Sequence, residues 1–120
     1  MLRLLLAGAV ALLLLSSQAE AACEVTPFRF LPGSDSDVVL TVTAGSRCNV
    51  TIRAAARTSF NSNKISSPPA NGLARTNGTA GASYQPRAGF KGSDAFAFTV
   101  CYTSLGRPGC STLRVRVTIQ

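Results

Sequence analysis

The chain has 120 residues, with twelve Lys/Arg against five Asp/Glu for a net charge of +7, four cysteines and no histidine. That length holds one ordinary domain behind any leader. Lack of histidine removes Ser-His and Cys-His nucleophile chemistry, and with no C-x-x-C pair either a zinc or redox site has little support; the positive field points to anionic polymers or membrane surfaces as partners, weakened by salt.

Arg3 precedes an apolar run from Leu4 to Leu15, and small residues follow at Ala19, Ala21 and Ala22. This is the order of a secretory signal, with Ala19-Glu20-Ala21 as the cleavage site. As a helix the run reaches about 18 Å, short of the ~30 Å hydrocarbon core, so a membrane anchor is the weaker reading. Cys23 just after the small residues raises lipid attachment. Three places before it, however, stands Glu20 where an apolar residue is expected, and lipidation would take one of the four cysteines out of pairing. The expected organisation is a signal peptide over 1–21 and one domain over 22–120. Losing Arg3 and Glu20 with the leader leaves the net charge unchanged.

The rest reads as short β-runs between turn clusters, with no helical period. A first run, Glu24 to Leu31, ends at Pro32-Gly33-Ser34-Asp35. A second, Asp37 to Ala44, alternates Val38, Leu40 and Val42 with polar residues. Gly45-Ser46 then turns into Cys48 to Ala54, and the two runs are expected to form a hairpin. From Arg57 to Thr79 the chain is polar and broken by Pro68-Pro69, which predicts a long connection with a short strand near Leu73 to Thr76. Asn77-Gly78 offers a two-residue turn into Ala80 to Gln85. In Asp94 to Tyr102, alternation puts Phe96, Phe98, Val100 and Tyr102 on one face. In Ser111 to Ile119, Leu113, Val115, Val117 and Ile119 face inward while Thr112, Arg114, Arg116 and Thr118 face solvent.

An even cysteine count in a short exported chain implies two disulfides in an oxidising compartment. Three connectivities are open. Parity places Cys101 and Cys110 on the outer face of adjoining strands, closing a loop from Tyr102 to Gly109, and puts Cys48 on an inner face. The preferred pairing is Cys23–Cys48 and Cys101–Cys110.

Pro69-Ala70-Asn71-Gly72, then Tyr84-Gln85-Pro86-Arg87-Ala88-Gly89-Phe90-Lys91-Gly92-Ser93-Asp94-Ala95-Phe96, then Leu113-Arg114-Val115-Arg116-Val117-Thr118-Ile119, form a pattern. It resembles that of the bacterial immunoglobulin-like and cadherin-like modules that occur in tandem in large surface proteins. The match runs from Lys64 to the end and covers about half of the mature chain. It implies an antiparallel β-sandwich of about seven strands. Physically, Tyr84 and Phe90 can plug one end, Pro86 ends a strand, Gly89 and Gly92 permit a tight crossing, and Asp94 can accept backbone donors. This chain departs from the family in holding one copy. It also has no close set of carboxylates, since only Glu24, Asp35, Asp37 and Asp94 follow the leader and calcium needs six to eight oxygens.

No catalytic constellation stands out. Lys64 and Lys91 leave Ser-Lys dyads formally open without a supporting motif, and no carboxylate pair suits glycoside hydrolysis. The aromatics fall on the buried face, which argues against single-strand nucleic-acid stacking. Arg53, Arg114 and Arg116 form a candidate basic surface on the outer faces. The sequence therefore predicts a periplasmic or secreted, non-catalytic binding module without cofactor or metal, contacting an anionic polymer or a protein. The alternative is an accessory or inhibitory subunit on a larger exported protein.

Overall fold

A computed structural model describes residues 22–53 and 56–120, so the expected signal peptide lies outside the described residues. Two β-sheets pack face to face, and among the described residues there are eight strands and no helix. The strands are β1 (Cys23–Val25), β2 (Ser36–Val42), β3 (Cys48–Thr51), β4 (Thr58–Ser67), β5 (Gly72–Thr76), β6 (Gly81–Pro86), β7 (Gly92–Ser104) and β8 (Arg107–Ile119). One sheet has the order β1-β2-β8-β7-β4 and the other β3-β6-β5. Every pairing is antiparallel except β2 with β8.

The alternation read from the sequence is the alternation of burial. Val38, Leu40, Val42, Val50, Phe98, Val100, Leu113, Val115 and Val117 each keep 2% or less of their surface, and the outward partners Asp37, Val39, Arg114, Arg116 and Thr118 are exposed. A strand shows opposite faces to core and water at period two, so this pattern alone fixes which way each strand lies.

The expected hairpin of Asp37–Ala44 with Cys48–Ala54 does not form. Both runs face the core, but from opposite sheets. Gly45, at φ +81°, turns the chain across the sandwich, and β2 pairs with β8 instead. The first run is also shorter than expected: β1 ends at Val25 and the chain continues without strand structure to Leu31.

The polar stretch after Arg57 holds a ten-residue strand, β4, where a connection was expected. Its parity is hidden by two register shifts, at Phe60/Ser62 and Ile65/Ser67. Phe60 and Ile65 are an odd number of residues apart, yet the extra residue at the first bulge lets both face inward opposite Tyr102 and Phe98. Asn63 between them donates from Nδ2 to the carbonyls of Gly81 and Gly78, tying β4 to the β5–β6 turn.

Asn77-Gly78 lies in the connection between β5 and β6, but not as the expected two-residue turn: the last pair is Thr76↔Ala82, the Asn77 N–H bonds to Gly81 O at 2.9 Å, and four residues, Asn77 to Ala80, separate the strands. The last hairpin is longer than expected: β7 and β8 stay paired to Ser104↔Arg107, leaving a two-residue turn in place of a loop from Tyr102 to Gly109. Leu105 (φ +52°) and Gly106 (φ +75°) form that turn, with positive φ at both centres as a type I′ turn requires. Leucine is a poor fit there, and its side chain is 69% exposed.

Two disulfides join Cys23 to Cys48 and Cys101 to Cys110. The first links β1 to β3 and so staples one sheet to the other at a Cα–Cα distance of 5.2 Å. The second joins directly opposed residues of β7 and β8 on the outer face. Two such bonds mark a chain that folds in an oxidising compartment. No described helix is long and apolar enough to cross a membrane.

Replacing both members of the first bridge by serine is expected to cost about 3.5 kcal/mol from loop-closure entropy, against about 2.5 kcal/mol for the second. Urea unfolding of the two double variants checks this order. Leu105→Asn is expected to stabilise the domain by about 0.5–1 kcal/mol, because asparagine tolerates the left-handed turn better and little leucine burial is lost. Equal or lower stability of that variant in the same titration would contradict it.

Candidate functional site

The residues of the Tyr84-to-Phe96 motif converge on one corner of the sandwich. The Tyr84 ring is fully buried and stacks on Phe96 with centroids 5.6 Å apart. Its hydroxyl donates to Asp94 Oδ2 at 2.7 Å. The same carboxylate accepts backbone N–H bonds from Ala70 (3.1 Å), Asn71 (3.0 Å) and Ala95 (2.9 Å). β6 ends at Pro86, and Gly89 and Gly92 take positive φ in the link to β7. Phe90 packs against the core and carries the Arg87 guanidinium over its ring at 5.6 Å. Gly72 has no room for a side chain, since a Cβ there would lie 2.7 Å from the Tyr84 hydroxyl and 2.6 Å from the Gln85 carbonyl. The corner thus sets β5 tightly against β6, with the outward residues of both strands side by side.

Burial pushes the Asp94 carboxyl up, but the bonds from Tyr84 and from the Ala95, Asn71 and Ala70 amides outweigh it and hold the group below the usual carboxylate range. Burial, reinforced by the Asp94 charge, drives the Tyr84 hydroxyl well above its ordinary value.

The three sequence-selected arginines do not form one surface. Arg114 and Arg116 lie on the outer face of the five-stranded sheet, where they border a shallow groove floored by Ala95 and Ala97 and closed by Ser66 and Ser67. Arg114 is engaged by two carboxylates, Asp37 at 3.0 Å and Asp35 at 3.9 Å. Its hydrogen bond holds Asp37 below, and Arg114 itself above, their ordinary values. Arg53 lies two residues past the end of β3, exposed beside the segment from Val25 to Leu31 and away from Arg114 and Arg116.

The face of the three-stranded sheet carries the stronger signal. Glu24, Asp35, Asp37 and Asp94 all lie in or beside strands of the five-stranded sheet. No Asp or Glu occurs between Asp37 and Asp94, a stretch that contains all of β3, β5 and β6. Its cations include Arg47, Arg53, Arg75 and Arg87, all exposed and without an ion pair among the described residues. Arg47, Leu73, Arg75, Ser83 and Gln85 line one depression on the outer face of the three-stranded sheet. Ala70, Gly72, Leu73, Gln85, Pro86 and Arg87 line a second. Leu73 and Gln85, a cross-strand pair, line both, so the two depressions adjoin and together are referred to as the groove. Sequence reasoning passed over Arg47, Arg75 and Arg87 because it weighed alternation in the strongest strands; the acid-free stretch was the signal that points to them.

No protein-family model matches the chain, and no curated protein matches it. Among the described residues no three His, Cys, Asp or Glu side chains come together in a way that could hold a metal ion. What this face offers chemically is guanidinium forks, one amide, one hydroxyl and an apolar platform, all groups that can bind a ligand.

The corner couples stability to pH at both ends. Asp94 sits below its unfolded value, so its contribution is complete above about pH 4 and fades as pH falls through the folded value. Tyr84 sits above its unfolded value, so its contribution is complete below about pH 10 and fades as pH rises. Asp94→Ala should cost about 2–3 kcal/mol at neutral pH, since it strands the buried Tyr84 hydroxyl and removes the acceptor of three amides, and should flatten the acid limb of the stability–pH curve. Thermal melts of the variant and parent from pH 2 to 7 test both effects.

Proposed function

We propose that the mature domain is an exported, non-catalytic immunoglobulin-like binding module, periplasmic or secreted after signal-peptide removal, that contacts anionic polymers through the outer face of its three-stranded sheet. The observation that carries the reading is the segregation of charge: every carboxylate side chain of the described residues sits with the five-stranded sheet, and the three-stranded sheet with its flanking turns holds Arg47, Arg75 and Arg87, none of them in an ion pair among the described residues. The immunoglobulin-like part is supported by strand order. With β1 set aside as an added edge strand antiparallel to β2, and β2 counted as the first strand, the second, fifth and fourth strands make one sheet and the third, sixth and seventh the other, as in that layout. A sandwich of this kind hosts many functions, so it is the charged face that names the partner.

A second reading, an accessory or inhibitory subunit docking on a larger exported protein, is favoured by one observation. Leu105 projects from the β7–β8 turn in a backbone conformation leucine rarely takes, with the Cys101–Cys110 bridge bracing the hairpin beneath it. An exposed apolar side chain held so firmly is a shape a protein pocket can use.

Co-sedimentation of the mature domain with envelope fractions at low and near-molar salt separates the two. Polymer binding should vanish with salt, and Arg47→Glu with Arg75→Glu should weaken it about tenfold or more, while Arg114→Gln leaves it unchanged. Binding that survives salt and is lost in Leu105→Asn would replace the first reading with the second.

A further inference from the structure

The groove on the three-stranded sheet is more selective than a patch of positive charge. Gln85 donates from Nε2 to the Gly45 carbonyl at 3.3 Å. A carbonyl can only accept, so this contact fixes the amide orientation and leaves Gln85 Oε1 as an acceptor in the groove. Beside it Ser83 offers a hydroxyl that donates or accepts, and Leu73, 52% exposed, presents an apolar surface. Arg47 and Arg75 stand at one end and Arg87, held over Phe90 with its backbone N–H bonded to Asn71 O at 2.8 Å, at the other. Ser83 to Arg87 spans about 13 Å along the strand. The two adjoining depressions measure about 170 and 360 Å³.

An inorganic polyphosphate satisfies the arginines but brings only acceptors to the remaining groups. Gln85 Oε1 would then lose water without gaining a donor, an unfavourable exchange. The complement of this set is a ligand with carboxylates for the guanidinium forks, hydroxyls to donate to Gln85 and Ser83, and a C–H face to lie on Leu73. From this geometry we infer that the groove takes a uronic-acid polysaccharide, with carboxylates at its two ends and a sugar ring over Leu73. The inference rests on the reading of this face as the binding face and adds the class of polymer.

Polygalacturonate and polyphosphate, compared at equal charge concentration and equal ionic strength by calorimetry with the oxidised mature domain, test it. Wild type should bind polygalacturonate at least tenfold more tightly. Leu73→Ser and Gln85→Ala should each lose fivefold or more of the affinity for polygalacturonate while binding polyphosphate as before. Leu73→Ser alters an exposed side chain on an edge strand, so an unchanged melting midpoint for that variant shows that the fold is intact. Equal binding of both polymers, or equal losses toward both in the two variants, overturns the uronate inference and leaves the basic-face reading standing. Binding of neither polymer, or binding untouched by Arg47→Glu with Arg75→Glu, overturns that reading and the inference together.

Discussion

One carboxylate holds the two halves of this sandwich to each other. Asp94 begins the long strand β7 in the five-stranded sheet, and its oxygens take the hydroxyl of Tyr84 from the three-stranded sheet and two amides from the segment before β5. This half-buried charge is held by four donors, and of these the Tyr84 hydroxyl, on a fully buried side chain, depends most on it for a partner. Tyr84 then stacks on Phe96, and Gly72 gives up its side chain so that β5 can close over the ring. The core strands follow from hydrophobic alternation alone. Their mutual placement at this end depends on the carboxylate, and at the other on the Cys23–Cys48 bridge.

The corner also explains how a basic face can exist on so small a domain. Four carboxylates cannot neutralise eleven cations wherever those fall, and here one carboxylate is taken up in structure and two more by Arg114. The arginines around β3, β5 and β6 are left to solvent. Because these strands form the smaller sheet, their outward side chains are gathered on a narrow surface, where like charges reinforce one another at ranges within a Debye length. The repulsion among them is a stability cost that a bound polyanion removes.

Much of the fold was legible because its strongest strands obey period two without interruption. Leu113 through Ile119 and Phe96 through Tyr102 declare their faces, and the faces in turn selected one disulfide pairing out of three, the one present. Legibility failed where local geometry breaks the period or where partner choice is non-local. The bulges in β4 put Phe60 and Ile65 on one face at an odd spacing, so a real strand looked like a polar connection. The runs on either side of Gly45 carry the same alternation they would carry in a hairpin; only the core between the sheets decides that they part. At the candidate site, Arg114 was visible as an outward arginine, but its engagement by Asp35 and Asp37 depends on the parallel pairing of β2 with β8, which no local pattern encodes.

The disulfide bonds have an order as well as a position. Cys23 pairs with the next cysteine in the chain and Cys101 with the next after that, so the pairs are consecutive and never interleave. A polypeptide that reaches an oxidising compartment amino end first presents Cys23 and Cys48 while the later two are still to come. An oxidant that joins cysteines simply as they appear therefore makes the native bonds without a reshuffling step.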